Sequence, residues 1–281
     1  MGIAVLVLLV ALFLYLDWRI YVQWPWKRKH KRHNELISII IPFQSFDPVR
    51  LRIFEWVLQY WHDHLPEAEI IVAGNDEIPF HKTLAVNEGV QRARGDILVI
   101  MDGDCYMSAD TVREVANRIR QARRENRKLW YVPYRRFYRL NERASEALLH
   151  THPQDPLRIP DPPPSNWVEH METSSSGHWW GALIQVMPRE AFIEAGGMDI
   201  RFQGWGGEDV SFMHAVDTVW SRHKTFDGPV FHIWHPVIPG RWKHTRQWPG
   251  QPTAEMNDQL SSRYVDAIGD EALMRRVITE E

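Results

Sequence analysis

From Leu36 onward the sequence alternates short apolar strands with amphipathic helices, which predicts an α/β domain on a mostly parallel sheet. Two further observations sharpen that expectation. The apolar run DILVIM (96–101) passes directly into two acids, which places ligand-binding groups at a strand's carboxyl end. Residues 2–16 are apolar without a break, which predicts a membrane helix ahead of the domain. With 281 residues, 44% of them hydrophobic and 25% charged, the chain can bury one generous core or two small ones. Neither a disordered nor a disulfide-stapled protein fits, because Cys105 is the single cysteine.

The first element is the apolar run. It covers roughly 22 Å as a helix and reaches bilayer thickness by continuing toward Val22, with Asp17 and Arg19 near the headgroups. Trp18, Tyr21, Trp24 and Trp26 form an interfacial belt, followed by KRKHKRH at 27–33. A cleaved signal peptide would carry its basic residues before the run and a small-residue cleavage site after it, and neither is present. The expected division is an anchor over 1–24, a basic juxtamembrane linker over 25–35, a main domain over 36–253 and a helical tail over 254–281. Six Lys/Arg against one Asp give the first 33 residues +5, leaving −8 for the rest of a chain whose total is −3. Positive charge confined to that side of the span predicts a single-pass protein with its body in the cytoplasm. So acidic a body argues against nonspecific nucleic-acid binding.

Within the body, ISIII (37–41) is a strand ending in Pro42, and Asp47-Pro48 is an N-cap with proline at the first helical position, opening a helix to about Trp61. A strand over 69–74, a helix over 82–94, a strand over 96–104 and a helix over 109–124 follow. LWYVPY (129–134) starts another strand. Residues 150–178, rich in proline with a serine run at 174–176, predict a long loop. A strand over 182–187, helices from Pro188 and after Glu208, and a strand over 228–234 complete the series. Between Arg113 and Arg143 there are eleven Lys/Arg and three Glu, readable as a solvated helix face or as a surface for anionic lipid or an anionic acceptor.

Three segments carry chemistry. Asp102-Gly103-Asp104 sets two carboxylates at a strand end, where they can hold a divalent cation and, through it, a diphosphate. In FQGWGGEDVSF (202–212) three glycines bracket Trp205, permitting close backbone approach and leaving an indole to stack on a ligand. Glu208 and Asp209 then either cap a helix or supply a general base to a bound sugar. His232 and His235 are three apart at a strand end, structural or, if a turn begun by Pro236 brings both imidazoles to one side, metal-ligating. Together these groups describe metal-assisted transfer from a diphosphate-linked donor.

On these residues the chain resembles the GT-A glycosyltransferases, most of all the β-1,4-galactosyltransferases, with a looser likeness to polypeptide N-acetylgalactosaminyltransferases and family-two transferases. IIIPFQS (39–45) is similar to that family's IIPFRNR, FHKTLAVNEG (80–89) to its FNRAKLLNVG, MDGD (101–104) to its SDVD and FHIWH (231–235) to its MIRH segment, while GWGGED (204–209) is identical. The resemblance implies a mixed sheet flanked by helices, a UDP-sugar donor, Mn²⁺ or Mg²⁺, and a glycan, lipid-linked or protein acceptor. It assigns the metal to Asp102, Asp104, His232 and His235, and the nucleotide site to Pro42, Phe43, Gln44, Asp76 and Lys82, with Asp102 also near the ribose. Asp209 becomes the catalytic base, Glu208 the holder of the acceptor hydroxyl, and Trp205 a movable indole. Trp179 and Trp180 fall near the donor sugar, and residues 236–252 resemble a lid over the diphosphate. GGED rather than GGEN favours an inverting reaction, with a retaining N-acetylgalactosaminyltransferase type or a non-catalytic sugar-binding module as the alternatives. Gln44 and Phe46 replace two arginines of the nucleotide turn, so diphosphate contacts must come from elsewhere. His232 replaces a methionine, a harder ligand that admits Mg²⁺.

Overall fold

In the computed structural model, residues 33–45, 47–76, 80–174, 183–204, 206–236 and 254–280 are described. Strand β1 (His33–Pro42) carries Ile37, Ile39, Ile40 and Ile41, all buried, because it lies between two parallel neighbours and under helices. These neighbours are β2 (Glu69–Ala73) and β3 (Gly95–Met101), in registers that pair Ile39 with Ile70 and with Val99. Helix α1 (Pro48–His64) begins where predicted: the Asp47 carboxylate accepts from Val49 N at 2.8 Å and Arg50 N at 3.1 Å, with proline in the first turn. It buries Ile53, Phe54, Trp56, Val57, Tyr60 and Trp61, so two of the chain's fourteen tryptophans serve the core. Helices α2 (Lys82–Arg92) and α3 (Ala109–Arg124) follow β2 and the short strand β4 (Cys105–Met107).

The first sheet runs β2-β1-β3-β8-β5-β9, where β5 is Tyr131–Val132, β8 is Ile184–Pro188 and β9 is Lys224–Thr225. It is mixed, as the resemblance implies, yet mostly parallel: of its six strands β8 alone is reversed, antiparallel to both β3 and β5. Between β3 and β8 the chain runs through β5 and three strands of a second sheet. That second sheet runs β4-β10-β6-β7, with β6 at Arg136–Leu140, β7 at Val168–Thr173 and β10 at Pro229–His232. Strand β7 lies inside the segment predicted as loop. It is an edge strand exposed along nearly its whole length, so no apolar alternation marks it. The strand expected from 129 shrinks to two residues before Pro133.

Helices α4 (Glu142–Leu149), α5 (Arg189–Glu194), α6 (Glu208–Val219), α7 (Ala254–Asp266) and α8 (Glu271–Thr279) complete the body, with α7 and α8 packed on α6. The cations between Arg113 and Arg143 are largely neutralised. Arg113 meets Glu67, Arg120 meets Asp96, Arg123 meets Glu190, Lys128 meets Glu194, and Arg136 meets Asp161 and Asp227. That favours an ion-paired surface over a free basic patch. Among the described residues no helix is long and apolar enough to cross a membrane. The predicted anchor and the linker up to Arg32 lie outside the described residues.

The three parallel strands are fastened at their start by one carboxylate. Glu69 accepts from Ser38 Oγ at 2.5 Å, from Gly95 N at 3.1 Å, from Arg94 Nε at 2.8 Å and from the Arg94 amide. Burial opposes its ionisation, but the hydrogen bonds from Ser38, Arg94 and Gly95 outweigh burial and hold the carboxyl below its ordinary range. A depressed folded-state value stabilises above the unfolded value, about 4.3, and the gain is lost as pH falls through the folded one. Glu69→Gln should therefore lower Tm by about 3 °C at pH 7, measured by thermal unfolding, with the difference from wild type shrinking below about pH 4.

Candidate active site

The carboxyl ends of β1, β2 and β3 open on one edge, and the sequence places polar groups after each. After β1, Phe43 N donates to Ala73 O at 2.9 Å and the Gln44 amide donates to Asn75 O at 2.6 Å, tying the turn that follows Pro42 to the end of β2. Asp76 stands exposed beyond β2. After β3 comes Asp102-Gly103-Asp104. A Cβ on Gly103 would lie 3.1 Å from both Phe43 and Phe54, whose rings stack at 3.9 Å. The middle residue of the acid pair is therefore pressed onto the aromatic floor of the first turn.

The two acids point to different partners. Asp104 meets the imidazoles: His235 Nε2 lies 3.2 Å from its Oδ2 and His232 Nε2 lies 3.6 Å from its Oδ1. The second sheet arranges this. Strand β10 pairs antiparallel with β4, setting His232 opposite Cys105, and Ile233 N donates to Asp104 O at 2.8 Å. The strand stops at His232, so the strict alternation that would have sent His235 to the other face no longer applies. Trp234 N donates to Ser145 Oγ at 2.8 Å and pins this segment to α4. Among the described residues, Asp104, His232 and His235 form the one group of three side chains whose ligand atoms lie within 4.8 Å of one another. Both imidazoles are buried, and a carboxylate with two imidazoles fits a transition-metal divalent cation. Burial opposes ionisation of Asp104, yet His232, His235 and Arg50 outweigh it and hold its carboxyl far below the usual range.

Asp102 turns instead to Lys82, the first residue of α2. The Lys82 ammonium lies 2.8 Å from Asp102 Oδ1, 2.7 Å from Asp209 Oδ2 and 3.6 Å from Glu208 Oε1. Three carboxylates thus share one cation. Burial would lower the Lys82 value, but Asp102, Asp209 and Glu208 overcome it and hold the ammonium well above its ordinary range. For Asp209, burial together with Glu208 and Asp102 exceeds the opposing pull of Lys82 and pushes the carboxyl up to about 7. Asp102 is raised as well, chiefly by burial.

Glu208 and Asp209 open α6 directly after the glycines. Glu208 is buried and its Oε2 accepts from Gly206 N at 2.9 Å, so this acid does brace the turn. Gly207, at φ +88°, precedes the helix in the left-handed region, and a Cβ there would fall 2.1 Å from Ser261 Oγ of α7. The tail also holds the turn through Asn257, whose amide donates to Gln203 O at 3.0 Å. Trp205, Trp179, Trp180, Phe46 and the predicted lid from 237 to 252 lie outside the described residues.

Two residues that sequence reasoning passed over belong here. Arg50 reaches Asp104 Oδ2 at 3.5 Å from the first turn of α1. Its signal was a cation in the first turn of the helix that follows the nucleotide turn, close in sequence to positions 44 and 46, where the resemblance shows arginines replaced. Gln185, 2% exposed in the apolar strand β8, donates to Asp209 O at 3.4 Å while its Oε1 has no hydrogen-bond partner among the described residues. A lone amide in an apolar strand was the visible clue.

Helices flanking a mixed sheet, with acids and imidazoles gathered where its parallel strands end, define a GT-A-like glycosyltransferase domain. The model of the family described as "Glycosyltransferase like family 2" matches residues 21–224, most of the chain, and the protein belongs to that family. A curated relative, human chondroitin sulfate N-acetylgalactosaminyltransferase 2, is 27% identical over 171 residues, 59% of this chain and 28% of the relative. The chain thus spans little more than a quarter of that relative's length. Among solved structures, the catalytic domain of Drosophila β-1,4-galactosyltransferase 7 in complex with xylobiose is similar at 17% identity and TM-score 0.38, covering 79% of this chain and 83% of the other. GalNAc-T7 with UDP, GalNAc and Mn²⁺ is similar at 14% identity and TM-score 0.44, covering 86% and 49%.

Gly207→Ala should destabilise the protein by about 2 kcal/mol or more, because it adds left-handed strain to the clash with Ser261. Urea unfolding measures it, and Gly207→Ala combined with Ser261→Gly should recover only the part due to the clash.

Proposed function

We propose that this protein is a metal-dependent glycosyltransferase that moves a hexose or N-acetylhexosamine from a UDP-sugar to an acceptor hydroxyl with inversion. The observation that carries this reading is the adjacency of two groups at one sheet edge. One is the Asp104–His232–His235 triad; the other is the Lys82-bridged set of Asp102, Glu208 and Asp209. Family membership supports the reaction class. The curated relative's name favours N-acetylgalactosamine as the sugar, and the GWGGED identity favours a galactose-type donor.

Asp104, His232 and His235 would hold the cation, which when bound supplies charge neutralisation to the departing nucleoside diphosphate. Two imidazoles in the set suit Mn²⁺ or another transition ion better than Mg²⁺. The carboxylate of Asp209 takes the proton of the acceptor hydroxyl as that oxygen bonds to the anomeric carbon. The bond from that carbon to the phosphate oxygen breaks on the opposite side, and its electron pair leaves with the nucleoside diphosphate. Glu208 holds the glycine turn that presents Asp209 and would orient the acceptor hydroxyl. Phe43 and Gln44 line the nucleotide turn, with Lys82 and Arg50 as the cations closest to the metal-side acids. We further assign residues 1–24 to a membrane anchor with the body on the cytoplasmic side, supported by the apolar run and the basic cluster after it.

A panel of nucleotide sugars with Mn²⁺ or Mg²⁺, scored for donor turnover, tests the proposal. One UDP-sugar should be consumed, with thorough chelation abolishing turnover. Asp209→Asn should reduce turnover at least about 10³-fold while UDP still binds. An axial-to-equatorial change in anomeric configuration by NMR supports inversion; retention of configuration transfers the protein to the retaining type. Turnover that survives chelation overturns the metal role.

A further inference from the structure

We propose that Lys82 is a clasp that keeps Asp209 from acting as a base until a nucleoside diphosphate draws its ammonium away. The inference rests on the donor reading above and adds a regulation of that same site. Lys82 Nζ sits 2.7 Å from Asp209 Oδ2 and 2.8 Å from Asp102 Oδ1, near enough to donate to both. An oxygen so occupied has its lone pair engaged and its charge countered, and it cannot take a proton from an incoming hydroxyl as readily as a free carboxylate. The second oxygen does not escape this, since the charge of the group is shared.

The same ammonium links the base to the donor side of the site. Asp102 is separated from Asp104 only by Gly103, and Asp104 belongs to the imidazole triad. A diphosphate seated beside that triad lies toward the face that Lys82 already bridges. Lys82 is the first residue of α2, on a long stem whose head can exchange partners while its backbone stays in the helix. Its side chain is 16% exposed, so it is not wholly enclosed by the core. Arg50 on Asp104 has the parallel arrangement: both cations rest on acids that the reaction requires. Moving Lys82 to the diphosphate uncovers the Asp209 oxygen it now occupies, so that its lone pair can meet an acceptor hydroxyl once a donor is present. Base activation thus follows donor entry, and the acceptor is engaged second.

The test is a double-mutant cycle on binding of UDP in the presence of Mn²⁺, by calorimetry on the full chain. Asp209→Asn should tighten UDP binding about 3- to 10-fold by releasing Lys82, and Lys82→Met should weaken it at least about tenfold. In the Lys82→Met background, Asp209→Asn should change affinity less than about twofold. Equal gains in both backgrounds mean general charge relief and overturn the clasp, as does no gain in the wild-type background. Should Lys82→Met fail to fold, a crystal structure of wild type with UDP and Mn²⁺ decides. Lys82 Nζ should then lie more than about 4 Å from Asp209 and within hydrogen-bond reach of phosphate, and an unmoved Lys82 overturns the proposal. Wild type that binds no UDP overturns the donor reading and the clasp with it, whereas binding without coupling overturns the clasp alone.

Discussion

Gathering acids at one edge of a sheet creates a charge problem, and the way this chain resolves it governs the rest of the site. Asp102 and Asp104 come from the turn between β3 and β4, and Glu208 and Asp209 from the start of α6, far apart in sequence. Partly buried carboxylates a few ångströms apart cannot all stay ionised without cations among them. Lys82 serves three of them, and Arg50 with two imidazoles serves the fourth. The α1 and α2 amino termini, the start of α6 and the end of β10 each contribute a charged or imidazole group to this balance.

The small second sheet then has a definite purpose. Its pairing of β4 with β10 is what delivers His232 beside Asp104, and the end of the ladder is what lets His235 turn to the same side. The tail helices have one too. Ser261 and Asn257 close on the turn at Gln203–Gly207, so residues after 253 are part of the support for Asp209 and not an appendage to it.

Much of this was legible in the sequence because the signals are local. The Asp47-Pro48 cap, the apolar run into Asp102 and the 109–124 helix all follow from neighbours in the chain, and the structure places them within a few residues of expectation. What escaped was set by distant partners. The antiparallel entry of β8 depends on topology, β7 has no buried face to leave a pattern, and two-residue β5 is defined only by the strands beside it. In the site, the His232/His235 spacing was ambiguous until the strand's end was known. Asp102 was expected beside the metal with Asp104, but only the fold reveals that it faces Lys82. Arg50 and Gln185 were visible as oddities whose targets lie more than fifty and about twenty-four residues away.

The acid pair and the two histidines divide into a metal set, Asp104 with His232 and His235, and a lysine-bridged set that holds Asp102. Electron spin-echo spectroscopy of the protein loaded with Mn²⁺ tests this division most directly. Nitrogen couplings from two imidazoles should appear, one of them lost in His235→Ala, and both retained in Asp102→Asn. Bound Mn²⁺ that shows no nitrogen coupling, or that is lost with Asp102→Asn while His235→Ala leaves it unchanged, would contradict it.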